Sequence, residues 1–363
     1  MEPSLRGDAV YLYAFDVADE IRTERISKIL AKRAVPFEVQ ADRTLPKTIP
    51  FYRPLTIDPK REAWKIHGTA VQTVVRVYDV GVVSIMITVP FSVAFLQDLI
   101  PFHQPVLDNH AALDKAAHAL CTDVVHNLSE YLVRGTTKVG TPEAYTVFAI
   151  HHINETKSVE PWVKDHHREI AGLLSETNPE LLSQQQVEET FRHSISFDYD
   201  DIAIVDWDAA LVINLSGKTD DEIHVLELAN LQLEELILMD KRLDDYLNRA
   251  YDDLEEKRSA FGMRRPELAK LRRFRMDVAK ITDEVSNISK FFGDWYLARI
   301  YLAARERFHI NSWRESIQNR VIHLDTLYET LRSEANEARM LFLEILIVLL
   351  FVLDLIAVIW LKK

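Results

Sequence analysis

The stretch VYDVGVVSIMI, residues 77–87, decides how the first half of the chain folds, because it predicts a β-hairpin. Its centre, Asp79-Val80-Gly81, carries residues that favour a turn. Runs rich in β-branched residues flank this turn at 71–78 and 82–89. A short turn between two such runs joins antiparallel strands, so we predict that the N-terminal half is built on a sheet.

The pattern around this hairpin occurs twice along the chain. In each case a strand is followed by a helix, a hairpin and a second helix. The first set lies at 10–15, 19–33, 71–78, 82–89 and 106–132, and the second at 144–150, 162–174, 202–205, 210–215 and from 219 onward. We therefore predict an α+β fold for residues 1–218, a duplicated β-α-β-β-α (ferredoxin-like) domain with a mostly antiparallel sheet covered by helices.

The C-terminal half carries apolar residues at alternating intervals of three and four, the spacing of a coiled-coil seam. The first seam follows Thr219-Asp220-Asp221-Glu222, which matches a helix-capping box. Seams of this period run over 226–254, 271–292 and 317–342. We therefore predict a long antiparallel helical coiled-coil stalk over residues 219–339.

Residues 340–361, MLFLEILIVLLFVLDLIAVIWL, form a nearly continuous apolar run ahead of Lys362 and Lys363. A helix of this length is roughly 33 Å long, enough to cross a hydrocarbon core of about 30 Å. The run predicts a C-terminal transmembrane helix. Because no apolar leader opens the chain, we expect a tail-anchored, single-pass membrane protein with its N-terminal domain in the cytoplasm.

Two acids, Glu344 and Asp354, interrupt this apolar run. Ten residues of helix leave their side chains about 80° apart on one broad face. Acids at such positions favour helix association, either through protonated carboxyls that hydrogen-bond across a homo-oligomer or through a basic residue of another subunit. The alternative is that Glu344 reaches the interface and Asp354 is tolerated as the neutral acid.

Two positions in the stalk carry specific expectations. A turn at Gly293 is favoured over one at Ser312, because the later turn would drive the Arg-rich start of the second helix into the bilayer. The final helix would then run from about residue 294 to 361. Asp240 lies on the first seam, where it fixes the register, meets a basic residue of the neighbouring helix, or faces water at the seam's edge.

The formal net charge of −13 argues against a general nucleic-acid-binding protein, but one basic cluster stands out. It lies at the turn between the first two stalk helices and comprises Lys257, Arg258, Arg264, Arg265, Lys270, Arg272, Arg273 and Arg275. We predict that this cluster is a contact patch for a ribosome, RNA or an acidic protein surface. The alternative is a solvated helix face that nearby acids partly neutralise.

Motifs of catalysis are missing from the sequence. It contains no GxGxxG, GxxxxGK[ST], GxSxG or HExxH, and its single cysteine, Cys121, excludes a cysteine-rich metal site. Weak candidates for a metal site are His151, His152, Asp198, Asp200 and Asp201. Their spacing matches no ligand rule, so we predict no cofactor, no evident small-molecule substrate and, on balance, no enzyme.

Three segments resemble the "required for meiotic nuclear division" family of unknown function. They are LELANLQLEELILMDKRLDDYL (226–247), the Trp295 segment after Gly293, and LRSEANEARMLFLEILIVLLFVLDLI (331–356); the hairpin at 77–87 is also similar to the family's. The resemblance implies a membrane-anchored, oligomer-forming protein without established catalytic residues. In mitochondrial members it implies support of translation at the membrane. The missing transit segment favours a bacterial cytoplasmic membrane.

The leading hypothesis from the sequence is a membrane-anchored, homo-oligomeric scaffold that presents its α/β domain to a ribosome or protein complex. Two alternatives remain open. One is a metal-dependent enzyme that uses the histidines and aspartates above. The other is an oligomeric ion-conducting assembly lined by Glu344 and Asp354.

Overall fold

The computed structural model describes residues 4–29, 34–36, 54–57, 64–66, 68–136, 138–154, 156, 158–255, 276, 278 and 294–361. The chain divides into two compact units. The first unit comprises Met1–Leu236 and Val285–Asn311, and the second comprises Ile237–Glu284 and Ser312–Lys363.

A mixed sheet forms the body of the first unit. The described strands are β1 (Leu5–Asp16), β2 (Glu20–Ile21), β3 (Ala34–Pro36), β4 (Leu55–Ile57), β5 (Lys65–Ile66), β6 (Thr69–Ala70), β7 (Gln72–Val77), β8 (Val82–Val93), β9 (Leu132–Val133), β10 (Glu143–Ile153), β11 (Ser194–Ile195), β12 (Asp201–Val205) and β13 (Ala209–Asn214). Nine of them join in the order β11-β12-β13-β10-β1-β8-β7-β4-β3, while β2 pairs with β9 and β5 with β6.

The described helices lie around this sheet and in the second unit. They are α1 (Thr23–Ile29), α2 (Leu113–Leu128), α3 (Val159–Asp165), α4 (His167–Leu174), α5 (Gln184–Thr190), α6 (Asp220–Glu255), α7 (Trp295–Arg307) and α8 (Ile310–Leu361). Short 3-10 helices occur at Leu96–His103, Ser129–Tyr131, Pro179–Leu181 and Phe191–His193.

The hairpin that the sequence predicted at residues 77–87 is present. Strands β7 and β8 pair antiparallel, with Val77 opposite Val83. Gly81 has a φ of 100°, and a Cβ there would lie 1.9 Å from the carbonyl oxygen of Ala18. That glycine therefore serves both the turn and the close approach of the chain that leaves β1.

The predicted duplication is wrong, because the two sets of strands pair differently. Strand β1 pairs antiparallel with β8, the second strand of its hairpin. The corresponding strand of the second set, β10, pairs parallel with β13. Two copies of one β-α-β-β-α unit would show the same pairing direction, so the sheet is mixed rather than a duplicated ferredoxin-like domain.

One face of the sheet packs against α2 and α4 in an apolar core. Alternate strand residues such as Tyr11, Ile85 and Phe148 lie in the same buried cluster as Leu120 of α2 and Leu173 of α4. This alternation follows from the opposite directions of successive side chains in a strand. Cys121 is also buried in this cluster, and burial raises the pKa of its thiol.

The predicted C-terminal membrane helix is contradicted. Within the part of the chain that the structure describes, no helix combines the length and the apolar character needed to span a bilayer. The apolar run also carries two acids, Glu344 and Asp354, and ionisable side chains are costly in a hydrocarbon core. The predicted tail anchor and single-pass membrane placement are corrected with it.

The last helical region is broken just before Ile310. The Asp294 side chain accepts a hydrogen bond from the Tyr296 N–H at 2.7 Å and caps α7. Helix α7 ends at Arg307 and α8 begins at Ile310, because His309 between them adopts a φ of 52°. A helix cannot continue through a residue in the left-handed region, so the predicted unbroken helix from 294 to 361 is wrong.

Candidate functional site

The beginning of α6 is attached to the sheet by a buried ionic cluster. Glu227 accepts hydrogen bonds from Arg76 of β7 and from the Ser84 hydroxyl of β8, the latter at 2.6 Å. His224, one turn earlier on α6, contacts the same carboxylate at 3.2 Å. Both partners of the Arg76–Glu227 ion pair are almost fully inaccessible to solvent. The cluster therefore joins the first hairpin of the sheet to the helix that follows the second.

Burial and pairing act in opposite directions on these groups. Burial by itself would raise the pKa of Glu227, but the charge of Arg76 and the bond from His224 outweigh it and lower that pKa to about 2. Burial lowers the pKa of His224 against the opposing effect of Glu227. The arrangement therefore holds one carboxylate ionised against one guanidinium in a nonaqueous setting, which suits a structural clamp better than a site for a substrate.

A second polar cluster surrounds the β12–β13 turn. The carboxylate of Asp206 accepts hydrogen bonds from the guanidinium of Arg307, and the carbonyl oxygen of Asp206 accepts one from the Tyr145 hydroxyl at 2.9 Å. Arg307 also contacts Glu189 at 3.3 Å. These bonds attach the end of α7 to the sheet.

The second unit combines an ion-paired region with an exposed apolar one. Arg320 of α8 bonds to both Asp240 and Asp244 of α6, and the Tyr251 hydroxyl lies 2.8 Å from the ring of His323. Farther along α8, every residue of 340–354 is exposed. We call these fifteen residues the apolar segment, since all but Glu344 and Asp354 are apolar.

Comparison with known proteins connects the first unit to a described family. Residues 6–220 match the model described as "Uncharacterized protein MJ0711, N-terminal domain". This chain belongs to that family. The match covers the strands of the mixed sheet from β1 to β13 and ends at the first residue of α6. It corrects the resemblance to the "required for meiotic nuclear division" family, which no match supports.

One relative in the MJ0711 N-terminal domain family is the uncharacterized protein MJ0711 of Methanocaldococcus jannaschii. It is 23% identical over 215 residues, which are 59% of this chain and 65% of the relative. The chain thus matches somewhat less than two thirds of that relative's length. No solved structure matches the chain.

In this member of the MJ0711 N-terminal domain family, the predicted metal ligands are not brought together. His151 Nε2 lies 2.9 Å from a carboxylate oxygen of Asp8, and His152 Nε2 lies 3.0 Å from the side-chain oxygen of Asn154. Asp201 accepts hydrogen bonds from the N–H groups of Phe197 and Asp198, so it shapes its own loop. Among the described residues, no group of three or more histidine, cysteine, aspartate or glutamate side chains could hold a metal ion.

The other predicted residues have different outcomes. Asp240 does meet a basic residue of a neighbouring helix, Arg320 of α8, as one of the interpretations proposed. Glu344 and Asp354 are exposed on α8. Asp200 lies exposed in the loop before β12. All eight residues of the predicted basic patch, from Lys257 to Arg275, lie outside the described residues, and so does most of the second seam.

Sequence reasoning missed the cluster around Glu227. The signal was present in principle, because Arg76 and Ser84 interrupt β-branched strands and Glu227 interrupts an apolar helix. Charged residues at core positions are expected to be paired. Nothing in the sequence indicates that these particular residues, 151 positions apart for Arg76 and Glu227, pair with each other.

Proposed function

We propose that the chain is a non-enzymatic scaffold that assembles as a homo-oligomer, in which the apolar segments of several copies pack against one another. The assembly brings several copies of the MJ0711-type α/β unit together. The observation that carries this proposal is the exposure of the apolar segment.

The extent of this surface exceeds that of an ordinary surface patch. Its thirteen apolar side chains are each between 40% and 73% exposed, from Leu346 to Phe351. Together they present on the order of 1,000 Å² of apolar surface, whereas the largest patch on a typical monomer is about 300–600 Å². An area of this size matches what each partner contributes to a specific protein interface, about 800 Å².

The distribution of this surface favours copies of the same helix as the covering partner. Successive residues of a helix point about 100° apart, so an uninterrupted exposed run is apolar on nearly every side. A single groove would cover only one side, whereas a bundle of identical helices covers several. In a parallel bundle of this kind Glu344 and Asp354 lie at matching levels in each copy, where a protonated carboxyl group donates a hydrogen bond to a carboxyl group of a neighbouring helix.

The test compares two substitutions on α8 by mass measurement of the full-length protein with light scattering. Leu350→Lys places a charge within the apolar segment, and Ile322→Lys places the same charge on an exposed apolar residue outside it. We expect a defined oligomer for the unmodified chain and for Ile322→Lys, and a loss of at least about tenfold in assembly affinity for Leu350→Lys.

Two results would overturn the proposal. One is a monomer at all accessible concentrations. The other is a protein that remains monomeric and floats with phosphatidylcholine vesicles, since lipid rather than a second copy would then cover the apolar segment. A defined oligomer whose mass is the same in all three proteins would place the interface elsewhere and would also contradict it.

A further inference from the structure

A cavity of about 710 Å³ lies in the first unit, where β1 begins and β10 ends. Its wall includes Phe95, Gln97, Asn154, Trp162, His166 and Glu169. Ligand sites in proteins typically have volumes of about 300–1,000 Å³, so the cavity is large enough for a small molecule. Sequence patterns did not indicate this cavity, since its walls come from four separate stretches of the chain.

Aromatic rings form part of the wall. The rings of Trp162 and His166 are stacked, with centroids 4.4 Å apart and planes 22° apart. Phe95 lines the same cavity and is 58% exposed, so part of its ring is open to solvent. Flat aromatic walls of this kind favour a planar ligand that stacks between or against them.

The imidazole of His166 is held in one orientation. Its Nδ1 lies 2.8 Å from the carbonyl oxygen of Trp162, in the break between α3 and α4. A carbonyl oxygen only accepts hydrogen bonds, so Nδ1 carries the proton. In the neutral ring Nε2 is then an acceptor for a ligand N–H or O–H.

The charge of the wall selects against anions. Glu169 supplies a carboxylate, and among the described residues that line the cavity there is no lysine or arginine. A phosphate group would be placed near that carboxylate without a counter-charge, whereas an N–H donor would form a charge-assisted hydrogen bond with it. Acceptors at Glu169 and His166 therefore favour a ligand rich in donors.

We propose that this cavity binds a planar heterocycle that carries N–H donors and no phosphate, of the nucleobase or nucleoside class. The ligand stacks on the aromatic wall and donates to Glu169 and to Nε2 of His166. This site is independent of the apolar segment and of the assembly proposed above.

Isothermal titration calorimetry of the full-length protein with adenosine tests the proposal, with AMP as the phosphorylated counterpart. We expect saturable binding of one adenosine per chain and weaker binding of AMP. Glu169→Gln keeps the shape of the side chain but removes its charge, so adenosine affinity is expected to fall about tenfold and the discrimination against AMP to shrink. His166→Phe keeps a ring in the wall but removes Nε2, and the same loss is expected.

Glu188→Gln is the matched control, because Glu188 lines a different, more open hollow beside α5. It should bind adenosine as the unmodified chain does. Absence of saturable adenosine binding up to about 5 mM would overturn the proposal, since affinity weaker than that is not specific recognition. Tighter binding of AMP than of adenosine would also overturn it, and so would equal affinities in Glu169→Gln, His166→Phe and Glu188→Gln.

Discussion

Two long helices of this chain carry acids among apolar residues. One such acid on the first helix is buried and paired, whereas those on the second are exposed. On α6, Glu227 is buried and bonded to Arg76, Ser84 and His224. On α8, Glu344 and Asp354 are exposed amid exposed apolar side chains. The comparison shows that an apolar pattern around an acid does not by itself determine the structural role of that acid. What decides its role is whether a distant part of the same chain supplies a partner.

The largest expected effect comes from removing the partner of the buried acid. Arg76→Met leaves Glu227 without its counter-charge in a nonaqueous position, so the free energy of unfolding should fall by about 3–5 kcal/mol. Chemical denaturation of the variant and the unmodified chain measures this difference. In the double variant Arg76→Met with Glu227→Met, much of the loss should be recovered, because no charge then remains buried. A loss below about 1 kcal/mol in the single variant would show that Glu227 is not held by Arg76.

The second-largest expected effect is a loss of stability at acid pH. The pKa of Glu227 is lowered to about 2 in the folded chain because, although burial opposes it, Arg76 and His224 stabilise the ionised form. The stability that this group contributes is present above its unfolded pKa and is lost as the pH falls through the folded value. Unfolding free energy should therefore fall by about 2–3 kcal/mol between pH 4.5 and 2, and Glu227→Gln should remove that slope.

Glu222, in the first turn of the same helix, should show the opposite dependence of stability on pH. Burial raises its pKa to about 7. A carboxyl whose folded pKa is raised contributes stability below its unfolded pKa and loses it as the pH rises through the folded value. The free energy of unfolding should thus decline by about 2 kcal/mol between pH 4.5 and 7, and Glu222→Gln should remove this decline. A decline of the same size in Glu222→Gln would assign the slope to another group.

An intermediate region, the Arg320 pair of the second unit, should respond weakly. Arg320 bonds to Asp240 and Asp244 but is partly exposed, and solvent screens such pairs. Arg320→Gln is expected to reduce the unfolding free energy by about 0.5–1 kcal/mol, and the effect should shrink at about 1 M salt. An effect as large as that of Arg76→Met would show that the partly exposed Arg320 pairs contribute as much to stability as the buried Arg76–Glu227 pair.

The smallest effect is expected for the exposed acids themselves. Glu344→Gln and Asp354→Asn should change the unfolding free energy of the first unit by less than about 0.5 kcal/mol, because neither acid belongs to that unit. Thermal melts monitored by near-ultraviolet circular dichroism report on the aromatic residues around the sheet. A large shift from either substitution would mean that the acid has a partner in the folded chain.

The predictable parts of the fold were those encoded by neighbours in sequence. Turn residues beside Gly81 located the first hairpin, and residues 202–205 and 210–215 located the second, which is present as β12 and β13. The start of α6 was also placed within one residue. Each depends on turn or capping chemistry that acts over a few residues, which a sequence displays directly.

The parts that sequence reasoning missed depend on distant residues or on one backbone angle. Parallel pairing of β10 with β13 follows from the path of the chain between them, which the strand patterns do not record. The break at His309 comes from a single φ value within an otherwise helical pattern. The cluster around Glu227 and the aromatic cavity both join residues that are far apart in sequence. Rules based on residue spacing therefore could not predict either of them.

The edge strands of the nine-stranded sheet determine how readily the sheets of two chains can join edge to edge. In the described part of the chain, the strand at one end, β11, has 2 residues, and the strand at the other, β3, has 3 and ends in Pro36. Short edge strands offer few free backbone groups for another sheet to continue, and proline lacks the N–H that such continuation uses. Edge-to-edge growth of the kind that builds amyloid is therefore discouraged at these two described edge strands.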